Sequence, residues 1–480
     1  MTSIRKAALL SLAQRYVAFL IQLGSSIVLA RLLSPSETGL YALATAVVAL
    51  AQLLRDFGIG EYVVQEKNIS RAQLRSVLGA SFLLAWGIAL LLFACAGLLA
   101  AFYGEPGVRT VLQLLAVNFM LLPIGTTTFA MLTKEMAFKE IFIVQTVSAA
   151  ASAGLSIVLA WRGHSYMSLA WASVFGTLCT VALLALLRPG LTFMLPSFSG
   201  LRAIGRFGGT VTLGRLFDQL CRRAPDILVA QHLGFHAVGI NSKAGSLLDA
   251  FHDFFVSGIS RVATPAFARD RHEDGDAGLA YLKSMRTLVI FPMVFFMLVG
   301  LLSEPIIRLL FGEAWLQAVP LLRIGAVAGL LGAPYFLAPP LLTAHGRVTD
   351  LLHIQTVGGV ALLLLIYLGS TQSLVALALA GTVGGCFKLA LIHRALARCT
   401  GLSLSQLLGS CARSATLAGL ATVLAASALW LQDGSAAGAF QTLCLAGLLA
   451  AAVLLPGLWF SGHPLGDELR AVLRRRRGAA

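Results

Sequence analysis

Across 480 residues, 58% are hydrophobic and only 12% charged, and the mean hydropathy is +0.84. A soluble chain of this make-up would leave far more apolar surface than it could hide, so a soluble domain is excluded and a polytopic membrane protein is expected. The net charge of +15 needs no nucleic-acid partner, because topology alone explains much of it, as shown below.

In chain order, fourteen apolar windows of about 18 to 25 residues are long enough to cross a bilayer. They lie near 9–31, 39–60, 77–102, 110–133, 141–161, 165–187, 205–225, 237–263, 285–302, 320–343, 351–369, 373–391, 413–431 and 438–460. The seventh and eighth are the least hydrophobic. No cleavable signal precedes the first window, so the first helix is expected to act as the insertion signal.

Alternate connections are rich in Lys and Arg. One set holds Arg5 and Lys6, then Lys67, Arg71 and Arg75, then Lys134 and Lys139, and it ends with Arg474 to Arg477. The other set holds little beyond Arg31, Arg109, Arg162 and Arg308. Basic residues near span ends stay on the cytoplasmic side, so both termini are expected there, with the terminal arginine run meeting anionic lipid headgroups. The longest connection, Ala268 to about Lys283, reads as a solvated loop of mixed charge. Seven scattered cysteines without CxxC spacing read as small apolar residues, neither disulfide nor metal ligands.

Sliding the chain against itself by 200 positions superposes Arg15 on Arg215, Leu20 on Leu220, Ala30 on Ala230, Leu33 on Leu233, Gly39 on Gly239 and Ala44 on Ala244. That offset equals six spans, which points to a duplicated six-helix unit. Six is even, so the repeats have the same orientation about an axis along the membrane normal. The expected fold is therefore all-α, with about fourteen transmembrane helices. Residues 1–200 and 201–400 form two parallel six-helix bundles around a central cavity, and 401–480 adds two helices and a basic cytoplasmic tail.

The seventh span carries Arg215, Asp218, Arg222, Arg223 and Asp226. Charge at the bilayer centre costs at least about 2.5 to 3.5 kcal/mol, so this stripe must face protein or a watery cavity. Polar residues also line helical faces of the first span (Ser11, Arg15, Gln22, Ser26), the second (Thr45, Gln52, Asp56, with Arg55 beside them) and the eighth (Ser246, Asp249, Asp253, Ser257, Ser260, with Lys243 and Arg261 nearby). One reading has Arg215 with Asp218, and Arg222 with Asp226, neutralising each other as structural ion pairs. The other takes the surplus arginine as a site for a phosphate-bearing ligand, since a guanidinium fork holds phosphate oxygens bidentately. The candidate binding residues are Arg15, Arg55, Arg215, Arg222, Arg223, Lys243 and Arg261. The candidate charge partners, or sites for a coupling proton or sodium ion, are Asp56, Asp218, Asp226, Asp249 and Asp253. In the tenth span, Pro334, Pro339 and Pro340 should break or bend the helix.

The run Ala30 to Tyr41 (ARLLSPSETGLY), continuing through Leu53 to Gly60 (LLRDFGIG) and Val64-Gln65, resembles the N-terminal signature of the polysaccharide transporter family, the Wzx-type flippases of the MOP superfamily. Asp226 to Gly234 and Gly239 resemble a second family pattern, with Asn241 where the family often has tyrosine. The resemblance implies two six-helix bundles in a V, fourteen helices in all, and a substrate of oligosaccharide repeat units on undecaprenyl pyrophosphate. It implies alternating access that moves the glycan headgroup from cytoplasm to periplasm while the lipid tail stays in the bilayer. The family's cavity arginines would correspond to Arg15, Arg55, Arg215 and Arg222. A polysaccharide polymerase or export machinery would be the downstream partner, and no cofactor or enzyme chemistry is implied. Two alternatives stand beside this reading. A cation-coupled drug antiporter of the same superfamily would call for a cavity of carboxylates and aromatics, and a membrane polymerase or ligase would need larger outer loops.

Overall fold

Several helices start where the sequence sets a hydroxyl ahead of an apolar run. Ser34 opens α2 (Pro35–Asp56) with a capping box, its Oγ accepting from the Glu37 amide at 3.3 Å while the Ser34 amide donates to the Glu37 carboxylate at 2.7 Å. Ser70 with Gln73 and Ser403 with Gln406 repeat the device at two more helix starts. These reciprocal bonds satisfy amides that no helical carbonyl reaches, at points where the chain is about to enter an apolar medium.

This computed structural model describes residues 2–199, 201–273, 275–431, 434–467 and 470, with the side chains of 2–15, 61, 201–211, 213–215 and 431 outside the description. In chain order, α1 (Thr2–Leu32), α2, α3 (Ile59–Gln65), α4 (Arg71–Tyr103), α5 (Pro106–Lys134), α6 (Phe138–Trp161), α7 (Met167–Leu187), α8 (Pro189–Thr192) and α9 (Leu201–His232) come first. Next are α10 (Gly234–Phe251), a π-helical turn (His252–Val256), α11 (Ser257–His272), α12 (Ala277–Leu288), α13 (Ile290–Leu301) and α14 (Ser303–Leu310). The chain then runs through α15 (Ala318–Gly332), α16 (Ala338–Ala344), α17 (Val348–Ser370), α18 (Leu374–Thr400), α19 (Leu404–Ala426) and α20 (Ala436–Phe460).

Among the described residues, ten helices are long and apolar enough to span a membrane, and α12 with α13, bent by 43°, would make an eleventh. The segments outside that set include α1, α9 and α10 to α11, the first, seventh and eighth windows; parts of α1 and α9 lie outside the described residues, and the described apolar part of α1 is Tyr16–Leu32. On α4, Leu90 and Leu98 are each 73% exposed, as expected of side chains that meet lipid. The protein is multi-pass.

Backbone contacts group the chain into two compact units, Met1–Gly239 and Ile240–Ala480. In the first, α4 lies along α5, α6 along α7 and α1, and α9 along α2. In the second, α17 lies along α18, α19 along α20, and α13 along both α15 and α19. The division falls later than the sequence boundary at 200 because α9 packs on α2, α3 and α4.

Two expectations about irregular segments have different outcomes. The prolines of the tenth span do break it: α15 stops at Gly332, a 3-10 turn covers Ala333–Tyr335, and α16 resumes at Ala338. The freed Pro334 carbonyl accepts from the buried Tyr281 hydroxyl at 2.8 Å. The long loop expected from 268 to 283 is instead mostly helix, with α11 running to His272 and α12 starting at Ala277. Asp276 caps α12 by accepting from the Gly278 and Leu279 amides, and Arg269, Arg271 and His272 complement the carbonyl end of α11.

Candidate functional site

The backbone of α9 stays helical through Pro225 to His232, so Asp226 lies within the helix and does not close it. Arg222 Nε donates to Asp218 Oδ2 at 2.9 Å, one turn away. The pair of Arg215 with Asp218 that the charge order also suggests lies outside the described residues. The Arg222 and Asp218 side chains are 59% and 33% exposed, so in water the pair would add only about 0.3 to 0.5 kcal/mol. Its larger effect is to offset the cost of charge at membrane depth. Arg223 Nε is buried and without a hydrogen-bond partner among the described residues. The Arg15 and Arg215 side chains lie outside the described residues.

At the C-terminal end of α2, Phe57 and Gly58 both adopt left-handed backbone, with φ of 37° and 64°, and swing the chain into α3. That turn opens a cavity of about 690 Å³ in the first unit, with Arg55, Asp56, Gln65, Ser81, Thr126 and Thr133 among its walls. Arg55 Nε donates to Asp56 at 3.0 Å, and its guanidinium carbon lies 5.9 Å from the centre of the Phe119 ring. An aromatic face and a carboxylate therefore hold the Arg55 plane at the cavity wall. Sequence reasoning named Arg55 and Asp56 and missed Ser81, Thr126, Thr133 and Phe119. The spacing of Thr126, Phe129, Ala130 and Thr133, one helical stripe on α5 that lines this cavity, was the available signal.

In the second unit the candidates are scattered. Asp253 sits in the π-helical turn with its side chain 76% exposed, its carboxylate 3.8 Å from His252 Nδ1. Asp249 and Arg261 are also exposed. Lys243 is only 9% exposed, its ammonium 5.1 Å from the centre of the Phe311 ring and 5.5 Å from that of Trp315. The structure thus joins Arg55 to Asp56 and Arg222 to Asp218, and holds Lys243 among aromatic side chains of its own unit. Phe251, Phe255, Phe291 and Phe295 stack beside the π-helical turn.

One contact carries the repeat. A Cβ on Gly39 would lie 1.8 Å from the Phe235 carbonyl oxygen, and a Cβ on Gly239 would lie 2.0 Å from that of Pro35. Shifting by 200 turns Gly39 into Gly239 and Pro35 into Phe235, so the two contacts are images of each other. The first turns of α2 and α10 therefore touch backbone to backbone, which only glycine permits. Both helix starts lie at the end of the spans poor in Lys and Arg, whereas Arg55 and its cavity lie at the end near Lys67, Arg71 and Lys134.

Comparison with known proteins fits this geometry. A family described as "Polysaccharide biosynthesis protein" matches residues 28–320. The chain is similar to the lipopolysaccharide biosynthesis protein WzxC of Escherichia coli (strain K12), 27% identical over 67% of this chain and 66% of that protein. It is also similar to the succinoglycan biosynthesis transport protein ExoT of Rhizobium meliloti, 26% identical over 67% of this chain and 65% of that protein. The matches therefore span just under two thirds of these relatives' own lengths. Among solved structures, the lipid II flippase MurJ in an inward closed conformation superposes with a TM-score of 0.74 at 11% identity, over 93% of this chain and 98% of that one. An inward-facing MATE family transporter of the MOP superfamily gives 0.62 at 15% identity, over 80% and 95%. These likenesses define the fold as that of MurJ and the MATE transporters, and the chain belongs to the polysaccharide biosynthesis protein family.

Proposed function

We propose that this protein is a flippase. It carries undecaprenyl-pyrophosphate-linked oligosaccharide repeat units from the cytoplasmic to the periplasmic leaflet of the bacterial inner membrane, for O-antigen, exopolysaccharide or capsule biosynthesis. The family match over residues 28–320 carries the reading, and the chemistry of the polar helices supports it. Arg55 presents its guanidinium at a cavity wall and Arg222 holds one on the polar face of α9, groups that stay charged at any physiological pH and can hold a diphosphate bidentately. The protein breaks and forms no bond. It holds the headgroup away from hydrocarbon while the lipid tail remains in the bilayer.

Alternating access then needs one end closed while the other admits the headgroup. The reciprocal contact of Gly39 and Gly239 lies within the first unit at the Lys- and Arg-poor end, which positive-inside topology makes the periplasmic one, with both termini cytoplasmic. The exposed carboxylates Asp249 and Asp253 are the sites proposed for a coupling proton or sodium ion, and a polymerase or export complex takes the product.

The test is flipping of a fluorescent lipid-linked oligosaccharide in vesicles containing the full chain. Wild-type protein should flip it, and Arg55→Ala or Arg222→Ala should slow it by about tenfold or more, the scale of one lost charge-assisted bond pair. A wild-type rate no faster than protein-free vesicles would overturn the flippase. Unchanged rates in both variants would remove the arginines from the site, and uptake of cationic dyes in place of flipping would favour a drug antiporter.

A further inference from the structure

In the second unit, away from the candidates above, a small cavity of about 290 Å³ is lined by Arg286, Gly409, Ser410, Arg413, His463 and Pro464. Three separate stretches of chain build it: the C-terminal half of α12, the first half of α19, and the turn that follows α20. Its floor is fixed. His463 is fully buried, its Nδ1 accepting from the Leu465 amide at 3.2 Å and its Nε2 lying 3.0 Å from Ser414 Oγ. Because Nδ1 accepts, the ring proton lies on Nε2 and goes to Ser414. Burial, joined by the nearby Arg413 charge and opposed by Asp467, pushes the His463 imidazole below its ordinary value, so the ring is a neutral brace.

The two arginines are left with donors to spare. Arg413 Nη1 donates to the Gly462 carbonyl at 3.2 Å, which pins the turn after α20. Arg286 makes no hydrogen bond or ion pair among the described residues. The carboxylate of Asp467 faces Arg470 at 3.6 Å. Two guanidinium groups thus share one polar cavity whose lining, among the described residues, includes no acid, an arrangement that costs repulsion unless an anion is present.

Depth narrows the ligand. Arg286 stands at the start of the ninth apolar window, Arg413 at the start of the thirteenth, and His463 just beyond the fourteenth, all on the Lys- and Arg-rich side. That is the level of lipid headgroups on that face. The cavity is at the lower limit of ordinary ligand pockets and suits a headgroup, with no room for a whole lipid. We propose that Arg286 and Arg413 form a binding site for a phosphate group at the membrane surface, the phosphate belonging to an anionic phospholipid headgroup or to free phosphate. The site is separate from the substrate path and would clamp α12, α19 and the turn after α20 together.

Native mass spectrometry of the full chain, delipidated and then titrated with phosphatidylglycerol or with inorganic phosphate, tests this. One tightly held ligand should be lost, with affinity falling about tenfold, in Arg286→Gln with Arg413→Gln. Retention of phosphatidylglycerol but not inorganic phosphate assigns the lipid source, and the reverse assigns the soluble one. Should the double variant fail to fold, Arg286→Gln alone, which removes an exposed side chain with no internal bond, should still weaken the same ligand about threefold. Equal retention of both probes by wild-type and variant protein would overturn the site.

Discussion

The second and eighth spans are repeats that begin alike and then diverge. Both start with a turn whose glycine, Gly39 on α2 and Gly239 on α10, admits the carbonyl of the other. Beyond that start the positions carry different chemistry. Arg55 and Asp56 at the end of α2 correspond to Phe255 and Val256, Leu53 corresponds to Asp253, and the fully buried Leu43 corresponds to Lys243. α2 runs unbroken to Asp56 and turns sharply at Phe57, whereas its counterpart passes through a π-helical turn at 252–256 and continues to His272. A backbone contact that depends on missing side chains joins the two copies at equivalent positions, while the polar cavity wall at Arg55 and Asp56 has no equivalent at Phe255 and Val256.

Breaking the shared start should have the largest effect. Gly39→Ala places a methyl where a carbonyl oxygen already lies, so the helices must part, at about 1 to 3 kcal/mol of overpacking. Gly239→Ala should cost the same, and the double variant should cost less than the sum, because one contact is lost only once. Thermal unfolding and surface polysaccharide together report this. Additive losses would mean that the two glycines serve separate contacts.

The diverged bodies predict effects on transport more than on stability. Arg55→Lys keeps the charge but loses the guanidinium beside Phe119 and its fork toward Asp56, so export should fall severalfold with unfolding temperature nearly unchanged. At the corresponding place, Phe255→Leu should disturb the stacked phenylalanines, lowering stability by about 1 kcal/mol while leaving ligand affinity intact. Asp253→Asn, at an exposed side chain, should leave the fold unmoved. If Asp253 takes the coupling ion, the ion dependence of flipping disappears in this variant, and a preserved dependence places coupling elsewhere.

The legibility of these features follows the same division. Span positions, their polar faces, the proline break and the paired glycines were readable because each depends on local composition or on an offset within the chain. The π-helical turn was not, since Phe251 to Ser257 has the same periodicity as any polar-faced helix and the inserted residue shows only in backbone geometry. Spacings of three and four residues are equivalent in sequence, so the bond from Arg222 to Asp218 shows only in the structure. The helical stretch after Ala268 was hidden by its charges, which a helix end uses as readily as a loop does. The cationic cavity at Arg286, Arg413 and His463 joins residues nearly 180 positions apart, and no local pattern connects them.

Lys243 gives the smallest predicted effect. Its sequence suggested a ligand contact, but the position corresponds to Leu43 in the core of the first unit, and its stem is buried while its ammonium faces Phe311 and Trp315. A cation between aromatic rings gains up to about 2 kcal/mol when desolvated, and it forfeits hydration of similar size. A methionine of matching length keeps the packing of the stem while giving up the contact of the cation with Phe311 and Trp315. Lys243→Met should therefore change stability by less than about 1 kcal/mol and leave flipping intact, whereas Lys243→Ala should destabilise through the void it leaves beside Trp315. A Lys243→Met variant that folds normally yet loses flipping would return this residue to the substrate path, and would show that the second repeat turned a core position into a binding one.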